Sequence, residues 1–274
     1  FESSSQGFVR VDGTVFGAYG SILDVKQRLL SYGSFVWFQQ LLGDGWWKQQ
    51  TINLLLHLGV AISLSGVLRL LVDQVAWTAG PTQKQDPAQL SLSKDAAVGI
   101  GVLVFAFNPA AAYAVAYLIQ RSILMAALFS VVSLYLTARA AAGGGARFLI
   151  GAAAAYVAAL LSKEHALMLP PVALAVFLIV RRPSRREAWF VAGAALLLFA
   201  AAVGFLLARY GAILGKTFDA SSQGYVDQLA ILSPGIADRV FVLSVVNQSW
   251  LFFKYGILWF LPYVGWMSVD LRPA

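Results

Sequence analysis

Ser162-Lys163-Glu164-His165 is a run of four polar residues inside thirty-three, Phe148 to Val180, that are otherwise almost entirely apolar. It offers a cation that can neutralise an anion, a carboxylate that can pair with a cation or take a proton, and an imidazole. As one helix the thirty-three residues would measure about 50 Å, too long for a single crossing of a hydrocarbon core about 30 Å thick. Two crossings need about 40 residues. The segment is therefore expected to form a slightly short hairpin whose turn puts Lys163 and Glu164 at or just inside a membrane boundary. Ionisable groups at that depth line a site or a water-filled cavity. A compact turn with a Lys163–Glu164 pair and snorkelling side chains is the plainer alternative.

Two further constellations converge on the same side. Asn108-Pro109 opens a stretch that ends at Gln120-Arg121. Pro109 removes a backbone donor and should kink its helix, leaving a carbonyl for neighbours or water to satisfy. Arg121 then meets the boundary, where a guanidinium can grip a phosphate bidentately or simply snorkel. Asn53 and His57 lie four residues apart, hence on one helix face, just inside that boundary. His57 and His165 are the only histidines and there is no cysteine, so a zinc site is not expected; whether another divalent metal takes part stays open. A group transfer to a hydroxyl or amide needs a carboxylate base. The outer-side candidates are Glu2, Asp12, Asp24, Asp44, Glu164, Asp219, Asp227 and Asp238. Asp12, in Val11-Asp12-Gly13 ahead of an aromatic-rich segment, leads by position, although such a residue also serves as a turn former.

The elements that must position these residues are membrane helices. With 59% apolar and 12% charged residues, and a mean hydropathy of +0.72, the chain reads as an all-α, polytopic membrane protein. Its +7 charge lies between apolar runs, with no basic stripe interleaved with aromatics, so no nucleic acid is expected as a partner. Run length predicts seven spans, at about 51–72, 96–118, 122–138, 148–162, 166–180, 188–208 and 249–266. Residues 1–50 form an outer loop, in which 26–49 make an amphipathic helix lying at the interface on Trp37, Trp46 and Trp47. Residues 51–274 form the bundle, with a further outer loop at 209–248. Arg181, Arg182, Arg185 and Arg186 share one short loop, Arg139 and Arg147 flank another, and Arg69, Lys84 and Lys94 surround the 73–95 linker. The positive-inside rule makes these three loops cytoplasmic. The chain starts at Phe1 with the outer loop, so a preceding span is expected in a longer protein.

Four segments in series resemble a family. They are RLLSYGSFVWFQQLLGDGWWKQQTINLLLHL, NPAAAYAVAYLIQR, LLSKEHALMLPP and NQSWLFFKYGILWFLPYVGWMSVDLRP, covering roughly residues 26–274. Together they resemble bacterial polytopic glycosyltransferases of the GT-C superfamily, close to the transmembrane and tetratricopeptide-repeat O-mannosyltransferases. The resemblance implies a helical bundle in the bacterial inner membrane with a cavity facing the periplasm. It also implies a polyprenyl-phosphate sugar as donor and inverting transfer to a protein or glycan acceptor. Arg121 and Lys163 would hold the lipid phosphate, and a first-loop carboxylate, best Asp12, would be the base. Arg28, Asn53, His57, Asn108, Gln120 and His165 would be further cavity residues. The family usually has His where this chain has Asn108, often Glu where it has Tyr113, and frequently a paired Asp in its first loop. These departures leave a second reading beside the enzyme, a non-catalytic scaffold or accessory subunit assembling with other membrane subunits. Membrane lipids are partners on either reading.

Overall fold

The structure is a computed structural model, and it describes residues 28–76, 87–210, 231 and 239–261. The described residues are helical throughout, without a strand. The helices are α1 (Leu29–Leu42), α2 (Trp46–Ala76), α3 (Pro87–Ala106), α4 (Pro109–Ala116), α5 (Arg121–Arg139), α6 (Ala146–Ser162), α7 (Leu169–Arg181), α8 (Arg185–Tyr210) and α9 (Val240–Phe260). Short 3₁₀ turns at Leu118–Gln120 and Glu164–Met168 lead into α5 and α7, and a π-turn at Ala140–Gly144 follows α5. Four stretches are long and apolar enough to cross a membrane: Trp46–Asp73, Leu118–Gly144, Glu164–Arg181 and Arg185–Phe205; Ala146–Ser162 is a shorter apolar helix. This is a membrane protein.

α5 is the hub, packed against α2, α6 and α7. Small residues let the helices close up, as they must where lipid supplies no hydrophobic drive between them. On α6, Ala152, Ala155 and Ala159 are buried, and Ser133 of α5 donates to the Ala152 carbonyl at 2.8 Å. On α2, a Cβ at Gly66 would come within 2.9 Å of the Tyr135 ring on α5. At one end of the bundle Ala138, Ala141, Val176 and Val180 pack with Leu70, Leu71 and Phe177. The turn there closes through Gly143 at φ +100° and Gly145 at φ +85°, values that glycine adopts without a Cβ clash. At the other end Phe35 and Val36 of α1 pack against Leu118 and Ile119.

Three expectations change in detail. The 26–49 segment is not one interfacial helix: Gly43 (φ +74°) and Gly45 (φ +152°) interrupt it, and Trp46 and Trp47 begin α2. Nor does α1 simply lie on the surface, for Leu29, Ser31, Gly33, Ser34, Phe35, Val36 and Gln39 are buried. The 96–118 segment is not a single span, because the chain breaks at Asn108-Pro109 into α3 and α4, with Pro109 at the first position of the new helix. Of the basic residues expected in cytoplasmic loops, those described share one end; Lys84 lies outside the described residues. Arg139 and Arg147 both stack on Phe148, and Arg69 and Lys94 pair with Asp95 and Asp73 at 3.6 and 3.7 Å.

Candidate functional site

The opposite end gathers most of the polar residues singled out in the sequence, around the first turns of α2 and α5 and the turn between α6 and α7. α2 presents Gln49, Asn53 and His57 in one stripe, each four residues from the next, and all three are buried. This stripe repairs the break beside it. His57 Nε2 lies 3.0 Å from the Ala106 carbonyl at the end of α3; a carbonyl only accepts, so the ring carries its proton on Nε2. The imidazole also stacks on Phe105 at 5.6 Å between centroids. One turn earlier, Asn53 Nδ2 donates to the Val115 carbonyl at the end of α4, at 3.3 Å. Both side chains therefore satisfy helix-end carbonyls that have no partner within their own helix. Asn108 is buried at the junction.

Arg121 starts α5 and is fully buried. Its Nε donates to Asn53 Oδ1 at 2.8 Å, Nη2 to the Gln49 carbonyl at 2.8 Å, and Nη1 to Ser34 Oγ at 3.5 Å. The Phe35 ring lies 3.9 Å from the guanidinium carbon, in cation–π contact. The expectation that Arg121 grips a phosphate at the boundary is not met by this geometry: its fork is turned inward and engaged by neutral acceptors. It joins α1, α2 and α5.

The Lys163 turn sits above this layer. Ser31 Oγ donates to the Ser162 carbonyl at 3.0 Å and Ser34 Oγ to the Ser31 carbonyl at 2.6 Å, so α1 bridges Arg121 to the end of α6. Arg28, which precedes α1, forms a bidentate pair with Glu164: Nε reaches Oε2 at 3.0 Å and Nη2 reaches Oε1. Nη1 donates to Tyr32 Oη at 2.9 Å. Arg28 adopts φ +58° and ψ +35°, a left-handed conformation that costs a residue with a side chain about 1–2 kcal/mol. The charge-assisted fork offsets that cost. The Glu164 bond holds the Arg28 guanidinium above even its ordinary basicity.

Glu164 is thus paired with Arg28 and not with its neighbour Lys163, because residue 163 is extended (φ −160°, ψ 139°) between α6 and the 3₁₀ turn. Lys163 is half-buried, and its ammonium makes no hydrogen bond or ion pair with the described residues. Burial, and then the charge of Arg28, hold it below the usual lysine range. With Arg28 and Glu164 cancelling, Lys163 leaves this turn one net positive charge, at the rim of a buried polar layer. That arrangement suits a monoanion presented from the membrane boundary.

Of the remaining sequence candidates, Gln120 is half-buried in the turn before Arg121 and His165 is exposed. Asp12, Asp24 and Glu2 lie outside the described residues, as do Asp219, Asp227 and Asp238. Among the described residues no three of His, Asp and Glu come together to hold a metal. No protein-family model matches the chain, and neither the characterised proteins nor the solved structures include one similar to it. Reading the sequence did not single out Gln49, Ser34 or Phe35. The four-residue spacing of Gln49, Asn53 and His57 was available as a signal; the contacts of Ser34 and Phe35 depend on how α1 docks.

Proposed function

We propose that the chain is a seven-span membrane glycosyltransferase with a GT-C-like bundle. It moves a sugar from a polyprenyl-phosphate donor to a protein or glycan acceptor at the periplasmic face of a bacterial inner membrane. The observation that carries this reading is Lys163: a half-buried lysine with no hydrogen-bond or ion-pair partner among the described residues, beside an internally neutralised Arg28–Glu164 pair. A lipid donor keeps its tail in hydrocarbon while its phosphate meets that cation at the boundary. In the transfer, the acceptor's oxygen or nitrogen attacks the sugar's anomeric carbon from the face opposite the phosphate. The carbon–oxygen bond to phosphate breaks, and its electron pair stays on the departing phosphate oxygen, whose charge Lys163 stabilises. A carboxylate takes the acceptor's proton. Glu164 is poorly placed for that task, since both its oxygens accept from Arg28. Asp12 keeps the role. Arg121 acts as a positioning residue by fixing α1 and hence Arg28.

The test is transfer from a lipid-linked sugar by the full-length protein in proteoliposomes. Lys163→Ala should lower transfer at least tenfold and weaken donor binding. Asp12→Asn should abolish transfer with donor binding nearly intact, because an amide is too weak a base. Wild-type transfer rates in both variants would overturn the assignment. The burial of Arg121 among neutral acceptors favours a second reading, a scaffold or accessory subunit that keeps the bundle without chemistry. Stable assembly with a membrane partner, without transfer from any lipid-linked sugar, would decide for it.

A further inference from the structure

The arginine-rich end carries a feature that the donor site does not use. A cavity of about 310 Å³ runs between α5, α6, α7 and α8. Small side chains on facing helices, Ala173 and Ala194, leave the space, and Phe177, Phe190, Val191 and Leu198 wall it. The three hydroxyl-bearing residues on its wall are already engaged: Ser133 donates to the Ala152 carbonyl at 2.8 Å, Thr137 to the Ser133 carbonyl at 2.8 Å and Tyr156 to the Leu167 carbonyl at 3.5 Å. The cleft is therefore apolar in effect. Phe177, Phe190 and Val191 also line a second cavity, whose other lining residues include Arg181, Arg186 and Glu187, so the two adjoin. Glu187 does not cancel both arginines. Its Oε2 accepts from Ser184 N at 2.9 Å and Ser184 Oγ at 3.1 Å, the capping box that starts α8. The site is thus an apolar cleft adjoined at one end by two guanidiniums.

We infer that this cleft binds one anionic phospholipid, with an acyl chain between α7 and α8 and the phosphate on Arg181 and Arg186. Charge complementarity selects that occupant. A guanidinium pair at the mouth complements a phosphate, and basic pockets beside membrane helices recognise such headgroups. The site lies at the opposite end of α7 from Lys163, about 20 Å away along a thirteen-residue helix, and is independent of the donor reading.

The experiment is native mass spectrometry of the full-length protein, released from nanodiscs of equal parts phosphatidylglycerol and phosphatidylcholine. Wild type should retain one phosphatidylglycerol, with at least fivefold preference over phosphatidylcholine. Arg181→Ala/Arg186→Ala, at exposed positions where folding is safe, should lose the preference. Ala173→Phe, which fills the cleft and leaves the arginines, should lose the retained lipid. Lys163→Ala should retain it unchanged, which separates this site from the donor site. Inorganic phosphate at millimolar concentration should not displace it. Absence of any preference in wild type would overturn the inference. So would wild-type retention by both the double-arginine and Ala173→Phe variants, displacement by free phosphate alone, or a second copy of the chain in place of the lipid.

Discussion

Arg121 and Lys163 are cations at the same end of one bundle, and their surroundings give them different work. Arg121 lies under α1 with three nitrogens donating to protein acceptors, whereas Lys163 is half-buried and makes no hydrogen bond or ion pair with the described residues. Arg121→Met should therefore act on stability. It orphans the buried Asn53 Oδ1, at about 1–3 kcal/mol for such an acceptor, and removes the stacking on Phe35. Arg121→Lys should recover little, since one ammonium cannot span the fork. Thermal unfolding in detergent, showing both variants well below wild type, is the check. Lys163 should reveal itself through pH. The polyprenyl-phosphate sugar is a phosphodiester and keeps one negative charge across the neutral and alkaline range, so within the lysine–phosphate pair only the lysine titrates. Its ammonium is present below its depressed pKa and lost above it. Donor binding should thus weaken as pH rises, beginning below the usual lysine value of about 10.4, and Lys163→Arg should flatten the profile. Wild-type binding that holds level through pH 10 would contradict the assignment. At this scale the sequence singled out the 162–165 turn, because four polar residues interrupting an apolar run are conspicuous. It could not show which cation Glu164 takes. That choice rests on residue 163 being extended and on Arg28 arriving from 136 positions away.

Elements record the same division between what is local and what is not. The break at Asn108-Pro109 was legible because proline removes a donor wherever it stands. That it becomes a full separation into α3 and α4 follows from Asn53 and His57 satisfying the exposed helix ends. The docking of α1 was not legible, since its buried residues mix Leu29, Phe35 and Val36 with Ser31, Gly33, Ser34 and Gln39. The contact between α2 and α5 gives a test at this scale. Gly66→Val should drive a side chain into the Tyr135 ring, where even a Cβ would stand 2.9 Å away. Overpacking of this kind costs about 1–3 kcal/mol, more than the gain of up to about 1 kcal/mol from removing a helical glycine. Adding Tyr135→Ala should make the double variant more stable than the sum of the singles, as a double-mutant cycle would read. Additive losses would mean that α2 and α5 do not meet there.

For the whole molecule, the bundle has a polar end built around Arg121 and an end that collects the arginines. Of the seven run-length spans, those near 51–72, 122–138, 166–180 and 188–208 fall on the four described stretches long and apolar enough to cross a membrane, and the basic loops identified which described helix ends lie together. Neither required long-range contacts to be known. Introducing cysteines one at a time into this cysteine-free chain tests the orientation. Asp44→Cys should be labelled by an impermeant reagent from the periplasmic side and Arg185→Cys only after the cytoplasmic side is opened. Labelling of both from outside would reverse that orientation. The central claim is that the Lys163 turn holds the phosphate of a lipid-linked sugar, and the most direct measurement is photocrosslinking. A polyprenyl-phosphate sugar with a photoreactive group next to the phosphate is bound to the full-length protein in nanodiscs, and the attachment site is mapped. The account predicts crosslinks within residues 28–32 and 162–168, competed away by unlabelled lipid and weakened at least tenfold by Lys163→Ala. Equal crosslinking in wild type and Lys163→Ala, or attachment confined to the Arg181–Arg186 end, would contradict it.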